Sequence, residues 1–208
     1  MKMADIAWVF VNPAALFRRV AQDKPSARAV FWGYALWLGM MPPLCAFIGV
    51  SVFGWRFGVG EPIYISAATA LAVSAAYYAA LLIGYAVAVR LTRWMAPTYG
   101  ADTHLGLHAA LVGIVGTPLM IGGVLHLYPL LPLNLLCLIP AILWSAYLLY
   151  TGIPALFGIE TSRGMLMASS ILGVFFVAAI GLAALTMILW THGIGPDLGF
   201  DWRSAVAG

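Results

Sequence analysis

Charged residues divide this chain into long apolar runs. Between Arg28 and Arg56 lie 27 residues without Asp, Glu, Lys or Arg, and between Glu61 and Arg90 another 28. A further 57 separate Asp102 from Glu160, and 33 separate Arg163 from Asp197. About 20 apolar residues in a helix cross a hydrocarbon core of about 30 Å. The first, second and last runs therefore predict one crossing each. The longest predicts two, hinged at Tyr128-Pro129-Leu130-Leu131-Pro132, where the prolines suit a tight interfacial turn. The pattern predicts an all-α integral membrane protein with five transmembrane helices, at about 30–53, 65–89, 105–127, 133–156 and 165–190. Residues 1–28 form a cytoplasmic interfacial segment, residues 29–192 the membrane domain and residues 193–208 a short external tail.

The segment ahead of the first crossing has its own polar pattern. Asn12 is a good N-cap and Pro13 suits the first helical position. Leu16, Phe17 and Val20 then share one face, with Arg18, Arg19 and Gln22 elsewhere. This predicts a short amphipathic helix lying in the interface, its arginines available to lipid phosphates; a plain cytoplasmic lead-in helix is the alternative. The apolar stretch Ile6 to Phe17 is broken by Asn12-Pro13, and Arg18-Arg19 stand where a small-residue cleavage site would be. A signal peptide is therefore not expected, and the N-terminus should be retained.

Composition supports the membrane assignment. The chain is 63% hydrophobic and 8% charged, with mean hydropathy +0.99, where a soluble domain carries roughly 25% charged residues. The net charge of +3 comes from scattered residues without a Lys/Arg stripe, which excludes nucleic acid and favours a membrane surface. Lys2, Arg18, Arg19, Lys24, Arg28, Arg90, Arg93 and Arg163 fall on one side of the crossings, and Arg56 and Arg203 on the other. The positive-inside rule then places the N-terminus in the cytoplasm and the C-terminus in the periplasm. Trp32, Trp55, Trp94 and Trp190 sit near crossing ends as interface anchors. Trp144 falls in mid-span and is expected to pack between helices.

Inside the membrane, the second crossing carries Ala68, Ala72, Ala76, Ala80, Gly84 and Ala88, a small residue at every fourth position. Such a ridge lets a neighbouring backbone approach closely and predicts a helix–helix seam, with the same chain or with another copy. Ser169 and Gly173 make a smaller seam in the last crossing. Pro42, Pro43, Pro118, Pro140 and Pro154 interrupt helical hydrogen bonding. Broken helices build midplane sites in transporters, and they also simply kink helices for packing. No Asp, Glu, Lys or Arg falls at membrane depth, so ion-coupled transport, proton relay and voltage sensing are disfavoured. Cys45 and Cys137 lie singly in apolar runs, as small hydrophobes do.

Chemistry-bearing residues are few. His104 and His108 are four apart beside Asp102, a spacing that could hold a metal on one helix face with Asp102 or Glu160 as third ligand. His126 and His192 belong to the opposite membrane side and cannot join them. Nucleophile elbow, HExxH and phosphate-cradling glycine loop are all absent. The glycines of Gly54-Trp55-Arg56-Phe57-Gly58-Val59-Gly60 read as loop flexibility. No catalytic, cofactor-binding or metal-binding residue is assigned, and no cofactor is expected.

Several stretches together resemble a known family. They are Asn12-Pro13, Cys45-Ala46-Phe47-Ile48-Gly49 with Gly54-Trp55, Leu127-Tyr128-Pro129-Leu130, Tyr147-Leu148-Leu149-Tyr150-Thr151-Gly152-Ile153-Pro154 and Leu185-Thr186-Met187-Ile188-Leu189-Trp190. Across about residues 8–192 the chain resembles the Yip (Ypt/Rab-interacting protein) family, in its short bacterial inner-membrane branch. The resemblance implies a five-span bundle with a cytoplasmic N-terminus and no enzymatic activity. The eukaryotic Asp-Leu-x-Gly-Pro signature is missing, so Rab binding is not implied. The leading expectation is a non-enzymatic inner-membrane protein that binds membrane proteins, or itself, through the second span, or organises lipid. A small-molecule or lipid transporter and a metal-using membrane enzyme built on Asp102, His104 and His108 are the alternatives.

Overall fold

A computed structural model describes residues 3–56 and 61–192. The C-terminal segment 193–208 and part of the glycine loop lie outside the described residues. Among the described residues five helices are long and apolar enough to cross a membrane: Ala27–Phe53, Ala67–Tyr99, Leu105–Leu127, Leu131–Phe157 and Thr161–Leu189, here the first to fifth spans. Two shorter helices precede them, α1 (Ile6–Val11) and α2 (Pro13–Asp23). Extended structure among the described residues is confined to isolated bridges between Trp55 and Ile63 and between Arg56 and Leu130. The protein is an all-α five-span membrane protein.

Local chemistry explains where these helices start and stop. The Asn12 side chain accepts the Ala15 N–H at 3.0 Å, and Pro13 follows at the first position. Ser26 caps the first span through Ala29 N–H, and Ser66 caps the second through Thr69 N–H. The second and fourth spans end at Gly100 and Gly158, both with positive φ, the left-handed stop that glycine adopts without a Cβ penalty. The second span continues ten residues past the apolar run, because Arg90 and Arg93 are exposed on its surface and do not interrupt it. At 33 residues it is about 50 Å long. Its last turns therefore project beyond the hydrocarbon.

The first span tolerates its prolines by packing. A π-helical turn at Phe31–Ala35 precedes them, and Trp37 donates its indole N–H to the Trp32 carbonyl at 3.0 Å. Pro42 and Pro43 are buried, and a Cβ on Gly123 would run into the Pro42 ring. Gly49 backs onto the carbonyls of His126 and Leu127 just as closely. The end of the third span is thus clamped to the first across a glycine-lined contact. Arg56 exchanges main-chain hydrogen bonds with the hinge, donating to Pro129 and accepting from Leu131, both at 3.0 Å.

Packing is uneven across the membrane. The core gathers at the end that carries Lys24, Asp102 and Arg163, where α2 and parts of all five spans meet around Phe17, Leu107, Leu111, Leu148, Ile153 and Met167. At the opposite end the fifth span from Leu172 to Leu189 is exposed on every face. The amphipathic helix α2 is present, and its apolar face is covered by the protein itself. Leu16, Phe17 and Val20 are buried against the bundle, the Phe17 ring sitting where a Cβ on Gly152 would be. That face is therefore closed to lipid.

Candidate functional site: an apolar cleft beside the second span

Small residues leave space between the spans. A cavity of about 420 Å³ opens at mid-depth, walled on one side by Ala80, Gly84 and Ala88 of the second span. Gly113 and Gly116 of the third span form another wall, and Phe175 of the fifth closes a third. A Cβ added at Gly84 or Gly116 would meet nothing within 4 Å, so the room comes from missing side chains. The size falls within the roughly 300–1,000 Å³ of small-molecule sites. The upper part of the fifth span leaves the bundle beside it, which makes the cavity a lateral cleft.

The cleft is almost wholly apolar, and its few polar groups are turned to the protein. Tyr85 donates its hydroxyl to the Ala109 carbonyl at 3.0 Å, and Thr92 bonds the Val89 carbonyl at 3.1 Å. Ser145 borders the cleft with a buried hydroxyl that has no hydrogen-bond partner. No charged side chain lines it. It suits an aliphatic chain or an apolar helix face and provides no nucleophile–base pair.

The ridge predicted on the second span is only partly used by this chain. Ala88 is buried, and Ala80 and Gly84 line the cleft, while Ala68, Ala72 and Ala76 are exposed. Sequence reasoning missed the contribution of Gly113 and Gly116, a pair of small residues one helical turn apart that was legible in the third span. Trp144 packs inward, its ring against Tyr147 and its indole N–H directed at the Val9 carbonyl.

The two histidines beside Asp102 diverge. His104 is exposed at the start of the third span, whereas His108 is buried with its ring centroid 4.6 Å from that of Phe157. The His108 Nε2 lies 2.8 Å from the main-chain carbonyl of Asp102. The Asp102 carboxylate accepts from Lys24 Nζ at 2.9 Å and from the His104 main-chain N–H at 2.8 Å. Those bonds hold its pKa below the usual carboxylate value. Among the described residues no group of three His, Cys, Asp or Glu side chains is placed to hold a metal.

The fold and this cleft define a multi-span helical membrane protein. The Yip1 domain model matches residues 8–185. The inner membrane protein YohC of Escherichia coli strain K12 is 33% identical over 191 residues, covering 92% of this chain and 98% of that protein. YohC of Escherichia coli strain CFT073 matches to the same extent. No solved structure matches the chain significantly. The chain belongs to the Yip1 family. The stretches that carried the resemblance lie at close helix contacts: Gly49 behind His126 and Leu127, Gly152 under Phe17, and Pro154 against Gly164. Tyr150 also shares a 2.9 Å hydrogen bond with Ser169.

Proposed function

We propose that this protein is a non-catalytic inner-membrane component that holds an apolar partner, a helix of another membrane protein or a lipid chain, in the cleft beside its second span. The observation that carries this reading is the cleft itself, apolar, uncharged and open sideways into the membrane. The exposed Ala68, Ala72 and Ala76 continue the same helix outward and widen the surface for a partner helix. The likeness to an inner membrane protein supports that location. The buried Pro42-Pro43 pair, closed over by Gly123, favours association above substrate passage.

A photoreactive residue introduced at Gly84 in native membranes tests this. A discrete protein or lipid adduct, absent with the probe at lipid-facing Val87, is the expected result; equal, diffuse labelling at both positions overturns it. The charge distribution supports a cytoplasmic N-terminus and periplasmic C-terminus. A C-terminal reporter active only in the cytoplasm should stay silent, and activity would reverse the orientation.

A further inference from the structure

The two short N-terminal helices are tied to the middle of a span. The Trp144 indole N–H donates to the Val9 carbonyl at 3.3 Å, and its ring stacks on Phe10 with centroids 6.2 Å apart. The fourth span, Leu131–Phe157, has 27 residues and so is about 40 Å long, with Trp144 at its centre. A hydrocarbon core of about 30 Å placed anywhere along that length leaves Trp144 roughly 10 Å or more inside both boundaries. Val9 and Phe10, held against it, lie below the membrane surface.

The chain between Ile6 and Phe17 is built for that depth. It contains no charged residue. Non-helical backbone is tolerated in hydrocarbon only where its polar groups are paired. At the corner between α1 and α2, Asn12 N–H donates to the Trp8 carbonyl at 3.0 Å and its own carbonyl accepts from Leu16 at 3.2 Å. The Asn12 side chain takes the Ala15 N–H, and Pro13 brings no N–H to be satisfied. Charge appears at the base of the hairpin, where Arg19 pairs with Asp5 and Lys24 with Asp102. On the outside, Trp8, Phe10 and Val11 are exposed, Val11 at 81%.

We infer that α1 and α2 form a re-entrant hairpin that enters the leaflet on the basic side of the bundle, where Trp8, Phe10 and Val11 contact lipid acyl chains. The hairpin adds two helices to that leaflet alone.

The test uses the full chain in phosphatidylethanolamine–phosphatidylglycerol liposomes. Nitroxide labels at Val11→Cys and Arg18→Cys, in a Cys45→Ala/Cys137→Ala background, report exposure to oxygen and to a polar nickel chelate. The Val11 label should be oxygen-accessible and about tenfold less accessible to the chelate than the Arg18 label, as for a group in hydrocarbon. Equal chelate exposure places the hairpin in water and overturns the inference; exclusion of both reagents means a protein partner covers it and overturns the lipid contact. The unsubstituted protein provides a second readout. A phosphatidylcholine carrying a mid-chain diazirine should label peptides spanning 3–18, and labelling of the spans without that segment overturns the inference.

Discussion

At the residue scale, a handful of glycines decide which surfaces can meet. A Cβ at Gly152 would collide with the Phe17 ring, so this one position docks the N-terminal helix onto the fourth span. Gly152→Ala is expected to lower stability by about 1–3 kcal/mol, the usual cost of overpacking a filled site. Gly84→Ala, which meets nothing within 4 Å, serves as the control and should be near neutral. Denaturant unfolding in mild detergent distinguishes them, and equal effects would remove the special role of the Phe17 contact. Gly84 was legible as one step of the small-residue ridge, whereas nothing around Gly152 in the sequence advertises its contact. The motif residues around Gly152 were legible as a family mark, but their partner, Phe17, lies more than a hundred positions away.

At the element scale, α2 shows how a correct local reading leaves the destination open. Its cap, its proline and its apolar stripe were all readable, because each depends on neighbours within a turn or two. What covers the stripe depends on the fourth span, and lipid and protein offer similarly apolar surroundings. Lys24 then fastens the end of the helix to Asp102. The bond depresses the folded-state pKa of Asp102 below its ordinary 3.8. Its stabilising contribution is therefore complete above the ordinary value and is lost as pH falls through the depressed one. Both groups are partly exposed, so the effect is small. Melting curves of the wild type and Asp102→Asn should differ slightly at neutral pH and converge in acid once the pH falls below the depressed pKa. A gap that persists in acid would assign the contribution to something other than this ion pair.

On the scale of the whole molecule, the bundle is closed at its basic end, while at the other the fifth span stands exposed beside first and third spans that stay clamped at Gly49 and Gly123. Packing of α2 on the third and fourth spans, within a core to which every span contributes, builds the closed end; the departure of the fifth span and the glycines of the second and third create the cleft. Gly84→Leu combined with Gly116→Leu should project side chains into that space, which an added Cβ enters at either position without meeting an atom within 4 Å. With the photoreactive probe moved to Ala80, which lines the same cleft, the filled variant should lose most of its adduct while keeping its melting behaviour. Undiminished crosslinking would mean that the partner binds elsewhere on the second span.

Five crossings follow from the sequence because burial in lipid demands about 20 uncharged residues per span, a requirement each segment meets or fails alone. The helix caps, the hinge at Pro129 and Pro132 and the absence of charge at depth belong to the same local level. Only the tertiary structure decided which small residues are covered and which stay open. It also turned His104 and His108 apart and set Trp144 against the N-terminal helices. These outcomes depend on contacts between distant segments, and apolar side chains facing lipid or one another look alike in sequence because the hydrophobic difference between the two environments is small.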